Sequence, residues 1–510
     1  MIPTLPPLLG LPKKFTGWRK GQSDACKEAL KPTPRFLLLT APTGFGKSLS
    51  YVAAAKLLPG RTAILTSTKG LQGQLLADFP DLIDIRGRNN YVCRLNTKRT
   101  CEEGLCLFGV HCPMREGGCL YFDQLAKARK AKIVVTNYSY WMSQHEYSTG
   151  LGDFDLLVLD EAHSAPDHLL AHIGVHLSPK EEVLLKLRPP FPEIEGWRNW
   201  AGEVFGATTL LAGEAKKNHN ERKYIRLRNI LRKLDRLRSM TDDWVWEEVF
   251  YSQSEVSPGI DFSPIQPAPY AESSLFLGIP KVVLTSATVV PKTAELLGIS
   301  GYKHVEYPHS FPMENRPVIH IPTVKMNYKN THLDEFQWLR KVDQIINRRL
   351  TAGIIHTVSY ARRNLVLKHS KFHGRMMTHG RRDTEDMVGE FKNALNAILV
   401  SPSMATGWDF PGDECRWQII VKLPYPTTKG VIAEARIAAD PDYPAYVAAQ
   451  QLIQAAGRGV RSKDDWCETF ILDNNIEWFM KRYKDFLTDW FVEAYKVRSV
   501  IPQPKTGGLL

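Results

Sequence analysis

Phe36–Ser48 reads Phe-Leu-Leu-Leu-Thr-Ala-Pro-Thr-Gly-Phe-Gly-Lys-Ser. Phe36 to Leu39 is an apolar run long enough for one buried parallel strand. Thr40–Ser48 then carries two glycines, a lysine and a serine, and a helix-compatible stretch runs from Leu49 to Leu58. Strand, glycine-rich loop and helix in that order form the context of a P-loop. Gly44 and Gly46 reach backbone angles closed to other residues, so successive N–H groups can turn inward on a phosphate. The helix start adds its partial positive charge. In that reading Lys47 reaches the β- and γ-phosphates of ATP, and Ser48 ligates the accompanying Mg2+. Ala41, Pro42, Thr43 and Phe45 complete the cradle, with Ala41 standing where the generic pattern has its first glycine.

The strand–loop–helix rhythm recurs along the chain. Thr62–Ser67 is a short strand followed by the polar loop Thr68-Lys69-Gly70. Ile133–Asn137 and Leu156–Leu159 are two more strands, the second ending in Asp160-Glu161-Ala162-His163. Ligands bind at the carboxyl ends of strands in open sheets, so two carboxylates there fit a nucleotide site. Asp160 is the candidate magnesium ligand. Glu161 is the candidate base that orients and deprotonates the attacking water. His163 is placed to link the phosphate site to the rest of the chain. Upstream, Arg19 and Gln22 precede an amphipathic helix. The Gln22 amide offers both a donor and an acceptor to an adenine edge, or it caps a solvated helix.

Of eight cysteines, five fall within residues 93–119: Cys93, Cys101, Cys106, Cys112 and Cys119. Such crowding is foreign to a disulfide scaffold in a chain this long and points to a metal or cluster site. Thiolates serve zinc and iron–sulfur clusters alike, and four of the five would suffice. The spacings lack the paired C-x-x-C knuckles of most structural zinc sites.

From Pro166 to Val249 the pattern changes and reads as helical. Lys216–Arg238 holds ten Lys and Arg against two acids, with Leu227, Ile230, Leu231, Leu234 and Leu237 at helical spacing. Its basic face suits either a nucleic-acid backbone or solvent. Lys281–Val290 is a strand ending in hydroxyls. After a proline-spaced crossing at Pro312–Pro322, a fresh α/β run begins at Gly353, with no second P-loop. It ends in Gln454-Ala-Ala-Gly-Arg-Gly-Val-Arg461. Arg458 and Arg461, three apart on a helix, share a face and suit arginine fingers acting on the first half's nucleotide. Gln454 is the candidate for positioning water.

At 510 residues the chain should hold about three or four domains. A formal charge of +12 favours a polyanionic partner. No apolar run approaches the ~20 residues of a membrane span. Met1–Leu11 lacks the basic leader and cleavage site of a secretion signal, which implies a cytoplasmic protein.

Taken in order, these elements resemble the superfamily 2 helicase motif set, and in particular the XPD/DinG-type iron–sulfur DNA helicases. The likeness runs from Arg19-Lys-Gly-Gln22 to Gln454–Arg461. Its most specific feature is the cysteine insertion between the P-loop and Asp160–His163. Thr285-Ser-Ala-Thr288 resembles motif III and Gly353–Ser359 motif IV. Thr406-Gly407-Trp408-Asp409 resembles motif V, with Thr406 and Trp408 departing from the commonest residues.

The resemblance implies an α/β protein of two RecA-like parallel-sheet domains, with a small iron–sulfur insertion and a helical arch inserted in the first. Residues 1–88, 126–165 and 251–305 would form the first RecA-like domain, 89–125 the cluster domain, 166–250 the arch and 306–510 the second RecA-like domain. It implies Cys93, Cys106, Cys112 and Cys119 as ligands of a 4Fe-4S cluster, with Cys101 spare, while a set that includes Cys101, Cys106 and Cys112 fits the spacing as well; it adds Arg19, Gln22 and Asp409 to the ATP site. It implies an ATP-dependent, monomeric helicase moving 5′→3′ on single-stranded DNA and opening forked or tailed duplexes in a bacterial cytoplasm, whether the gene is bacterial or phage-borne. A translocase that does not separate strands, an ATPase switch in an assembly factor and an RNA helicase share the same motifs.

Overall fold

The computed structural model describes residues 2–108, 111–185, 191–249, 259–308, 311–379, 384–402, 410, 412–457, 459–460 and 465–504. In chain order its strands are β1 (Phe36–Thr40), β2 (Thr62–Thr66), β3 (Ile83–Asp84), β4 (Ile133–Asn137), β5 (Leu156–Asp160), β6 (Val175–Leu177), β7 (Trp244–Val249), β8 (Gly259–Pro264), β9 (Lys281–Ser286) and β10 (Tyr302–Glu306). There follow β11 (Val318–Val324), β12 (Gly353–His356), β13 (Met376–Thr378), β14 (Ile398–Ser401), β15 (Trp417–Ile420), β16 (Glu468–Asp473) and β17 (Tyr495–Val497).

Two seven-stranded sheets result, ordered β10-β1-β9-β5-β2-β4-β3 and β13-β14-β12-β15-β16-β11-β17. Every pairing in both is parallel. Parallel sheets need both faces covered, and their strands therefore read as continuous apolar runs. That is the case here. Along β1, Leu37 and Leu39 enter one core while Phe36 and Leu38 enter the other. Along β5, Leu156 and Val158 divide from Leu157 and Leu159 in the same way. The P-loop helix, Lys47–Leu57, buries Val52, Ala53, Ala54 and Ala55 completely, and these small side chains let it lie close to the sheet.

Residues 166–250 are not purely helical. Two long helices, Ile194–Lys217 and Glu221–Arg238, pack side by side. Beside them lies an antiparallel sheet, β6-β8-β7. The strands escape a helical reading because the central one, β8, comes from beyond residue 250, and pairing over that separation leaves no local periodicity. Trp197 organises this unit: its ring is fully buried and meets Trp200, Trp246, Phe262 and Phe191 edge-on.

The second helix buries Leu227, Ile230, Leu234 and Leu237, while Leu231 is only partly covered. Much of its basic face serves the protein itself. Lys233 pairs with Glu181 at 2.8 Å, Arg236 pairs with Glu146 and donates to Tyr147, and Arg228 donates to the Leu107 carbonyl. Arg99 from the cysteine segment pairs with Glu221 at 2.8 Å. Among the described residues no helix is long and apolar enough to cross a membrane.

Replacing Trp197 with alanine removes the centre of the aromatic cluster and should cost about 3–5 kcal/mol. Limited proteolysis with mass mapping should then show cleavage within residues 191–264 before either seven-stranded sheet is cut.

Candidate nucleotide site at the seam between two sheets

Register brings the motifs together. Thr40 at the end of β1 lies opposite Ser286 of β9, and Asp160 at the end of β5 lies opposite Thr285. The P-loop, the acidic pair and the hydroxyl-rich turn therefore emerge side by side at one edge of the first sheet.

The loop from Ala41 to Gly46 turns with Gly44 at φ 84° and Gly46 at φ 83°, in the region where a Cβ is strained. Gly46 also has no room for a side chain, because an added Cβ would stand 2.4 Å from Gln22 Nε2. Gln22 is buried, and its amide braces the loop. Nε2 donates to the Phe45 carbonyl at 2.7 Å, and Oε1 accepts from the Arg19 N–H at 2.8 Å. The Arg19 guanidinium donates to the Gly44 carbonyl at 2.6 Å. Lys47 opens the helix, and its Nζ donates to the Ala41 carbonyl at 3.2 Å. Ser48 follows in the first turn of the same helix.

Asp160 is buried beneath Tyr51, which donates its phenolic hydrogen to Oδ2 at 3.1 Å. Burial and the neighbouring Glu161 charge push the Asp160 carboxyl up to about 6, while Lys47 opposes them. Glu161 holds φ 52°, left-handed backbone that is costly for a side-chain-bearing residue and common at functional sites.

From Glu161 a chain of hydrogen bonds crosses to the second lobe. Ser286 Oγ donates to Glu161 Oε2 at 3.1 Å, His163 Nδ1 meets Ser286 Oγ at 2.7 Å, and Gln454 Nε2 meets His163 Nε2. One tautomer satisfies all three: Gln454 donates to Nε2, and the Nδ1 hydrogen goes to Ser286. Gln454 stands near the end of the helix Tyr443–Ala456. On the same helix, Tyr446 meets Thr293 Oγ1 at 2.9 Å and donates to the His163 carbonyl. Just beyond, a Cβ on Gly457 would lie 3.7 Å from Thr43 of the P-loop.

Lys47, Asp160, Glu161, His163 and Gln454 thus share one seam. Arg458, Arg461 and Asp409 lie outside the described residues, as do Thr406, Gly407 and Trp408. Tyr51 and Tyr446 have no sequence signature of their own. Tyr446 was reachable only through its spacing, eight residues before Gln454 on one helix. Ser286 was visible as a hydroxyl at a strand end but not as the middle of a relay.

The five clustered cysteines, Cys93, Cys101, Cys106, Cys112 and Cys119, line a single cavity. All are free thiols. Burial and the adjacent Cys119 push the Cys101 thiol up to about 12, and burial also raises Cys106 against the pull of Arg88. Among the described residues no three His, Cys, Asp or Glu side chains form a group that could hold a single metal ion. Sulfurs bound at about 2.3 Å to one tetrahedral ion stand about 3.8 Å apart, and a polynuclear cluster spreads its ligands more widely. The donor set by itself, soft thiolates, is of the kind that zinc and iron–sulfur clusters both take.

Residues 16–188 match the family model of the type III restriction enzyme res subunit, and residues 343–494 match that of the helicase C-terminal domain. The chain is similar to the ATP-dependent DNA helicase YoaA of Escherichia coli strain K12, 24% identical over 208 residues, covering 28% of this chain and 32% of that protein. The match therefore spans about a third of the curated relative's length. The fold is shared with a structure titled XPD helicase, at TM-score 0.65 and 15% identity over 94% of this chain and 99% of the other. It is also shared with S. tokodaii Xpd4, at TM-score 0.62 and 15% identity over 94% and 100%. The C-terminal half thus matches a helicase domain model, and the chain shares the fold of the two XPD structures. The two seven-stranded sheets are its paired α/β domains, and the seam between them is where the motif residues meet.

Because the Asp160 pKa is raised on folding, its contribution favours the folded state at low pH and is lost as pH rises through about 6. Asp160→Asn should therefore melt at a higher temperature than the wild type at pH 8 without nucleotide or magnesium. Scanning calorimetry should show the gap closing as pH falls toward about 4, the unfolded carboxylate value.

Proposed function

We propose that this protein is an ATP-driven motor that moves 5′→3′ on single-stranded DNA and opens forked or tailed duplexes. The observation that carries the reading is the hydrogen-bonded line from Glu161 through Ser286 and His163 to Gln454, which joins the two lobes across the candidate site. A nucleotide gripped on one side and sensed on the other can change how the lobes sit together, and alternating grips on a strand convert that change into steps.

In this reading the P-loop N–H groups and Lys47 hold the β- and γ-phosphates, with Arg19 and Gln22 keeping the loop in shape. Ser48 and Asp160 hold the magnesium that comes with ATP. Glu161 takes the proton of the attacking water, and Gln454 positions that water. Arg458 and Arg461 neutralise the charge that develops on the transferred phosphoryl group, and Asp409 completes the nucleotide contacts. The strained backbone at Glu161 and its bond from Ser286 restrict where its carboxylate points. Likeness to YoaA, whose name makes it an ATP-dependent DNA helicase, supports DNA as the track. The net charge of +12 agrees.

Cys93, Cys106, Cys112 and Cys119 would hold a 4Fe-4S cluster, which would cross-link the segment. The shared cavity of the five thiols supports this assignment. A segment this short buries little core of its own, and among its described residues the β-pairing is a single bridge between Val92 and Thr100.

Lys47→Ala should abolish single-strand-stimulated ATP hydrolysis while single-strand affinity changes little. Unwinding tested on duplexes with 5′ or 3′ overhangs should proceed from the 5′ overhang alone. Stimulation by RNA but not DNA, or hydrolysis without strand separation, would remove the DNA-unwinding assignment. Protein purified without oxygen should be brown and carry about four iron atoms per chain. Cys106→Ser and Cys112→Ser should lose the colour and the unwinding, whereas a colourless wild type with stoichiometric zinc would exclude the iron assignment.

A further inference from the structure

Five thiols share a cavity in which four would hold a cluster, and the fifth is not idle. Cys101 Sγ stands 3.9 Å from Cys119 Sγ, and both residues are buried, at 4% and 9% exposure. We propose that Cys101 and Cys119 are a peroxide-responsive pair that closes to a disulfide when the cavity holds no cluster. The condition rests on the four-cysteine cluster reading; the pairing itself rests on the position of the two sulfurs.

The backbone on both sides is anchored, and the Cys101 thiol lies 3.6 Å from the Val92 carbonyl. The Cys101 N–H donates to the Tyr91 carbonyl at 2.8 Å, beside the antiparallel bridge between Val92 and Thr100. The Cys119 N–H donates to the Met114 carbonyl at 2.9 Å, and Cys119 caps the helix Leu120–Lys130. A disulfide needs its sulfurs about 2.05 Å apart. The gap to be closed is about 2 Å, within reach of χ1 rotation between staggered wells.

A neighbouring surface pocket shares Cys93, Leu95 and Gly104 with the thiol cavity and is the side from which an oxidant would enter. Gly104 leaves the passage free of a side chain: an added Cβ there would stand 3.5 Å from Cys106 Sγ and 3.8 Å from Cys93 Sγ.

The chemistry balances with hydrogen peroxide as the oxidant. The Cys119 sulfur attacks a peroxide oxygen as thiolate, breaking the O–O bond to give a sulfenic acid and hydroxide, which takes up the proton that thiol released and leaves as water. The second sulfur then attacks the sulfenic sulfur, forming the S–S bond and expelling a second water. Two sulfurs lose two electrons, and one peroxide becomes two waters. With a cluster bound, Cys119 is engaged by iron and the reaction is blocked. With the cluster gone, the bond ties the turn at Cys101 to the start of the Leu120 helix across a separation of 18 residues. It thereby replaces one cross-link that the iron supplied and shields the cysteines from irreversible oxidation until a thiol reductant restores them.

Full-length protein purified without oxygen is assayed for iron and divided, and one half is stripped with a chelator. Both halves receive hydrogen peroxide, then an alkylating agent, and are mapped by mass spectrometry. The stripped protein should yield a peptide linked through Cys101 and Cys119, reversed by dithiothreitol and lost in Cys101→Ser and Cys101→Ala. The loaded protein should yield several-fold less. A stripped sample that links a different pair, or whose Cys119 goes to sulfinic or sulfonic acid unlinked, overturns the proposal even if iron was present. The Cys101–Cys119 link in protein that never carried iron upholds the pair and instead removes the cluster reading.

Discussion

A parallel sheet wrapped on both faces leaves one place for working polar groups, the ends of its strands. Everything at the candidate site follows from that restriction. The interior of β1, β5 and β9 is occupied by aliphatic side chains packed into two separate cores, so Thr40, Asp160 and Ser286 can appear only where each strand stops. Hydrogen bonding in register then aligns those stops. The result is a row of loops whose backbone and side chains face the same side, with the P-loop helix aimed at them.

Electrostatics at this edge are arranged in opposition. Asp160 and Glu161 are adjacent carboxylates, and burial together with the Glu161 charge raises the cost of ionising Asp160. Lys47 and the hydrogen bond from Tyr51 offset part of that cost. A site built this way is tuned for a cation that arrives with its ligand, since a divalent ion relieves the repulsion that the protein alone does not. The same residues are tied to the second lobe by Ser286, His163 and Gln454, so a charge change at the acidic pair is felt across the seam. Further contacts run along the same face: Tyr443 donates to Asp167, Lys292 pairs with Asp440 at 2.9 Å, and Arg436 donates to Ser263.

Much of this was legible before any coordinates. The apolar runs at Phe36–Leu39, Leu156–Leu159 and Lys281–Val290 became buried parallel strands because nothing in them competes with that fate. The glycines of the P-loop adopt the left-handed angles their residue type allows. Two readings shifted. For Gln22 the sequence offers an adenine contact or a helix cap, and the structure adds a bond from its amide to the Phe45 carbonyl, set by the close approach of two segments distant in sequence. The basic helix Glu221–Arg238 was read as facing nucleic acid or water, yet Lys233, Arg236 and Arg228 are spent on neighbouring acids and carbonyls. Charge counted along a chain does not reveal which charges the fold itself consumes.

Local chemistry was enough to establish two α/β halves, a phosphate loop, an acidic pair and a thiol-rich insertion, because each depends on residues adjacent in the chain. Which distant groups touch is another matter. That Glu161 meets Gln454 through a serine and a histidine, that β8 completes a sheet with β6 and β7, and that Cys101 lies beside Cys119 all depend on how separate segments pack. Packing minimises the energy of the whole chain at once, so those partnerships leave no mark within any one stretch of it.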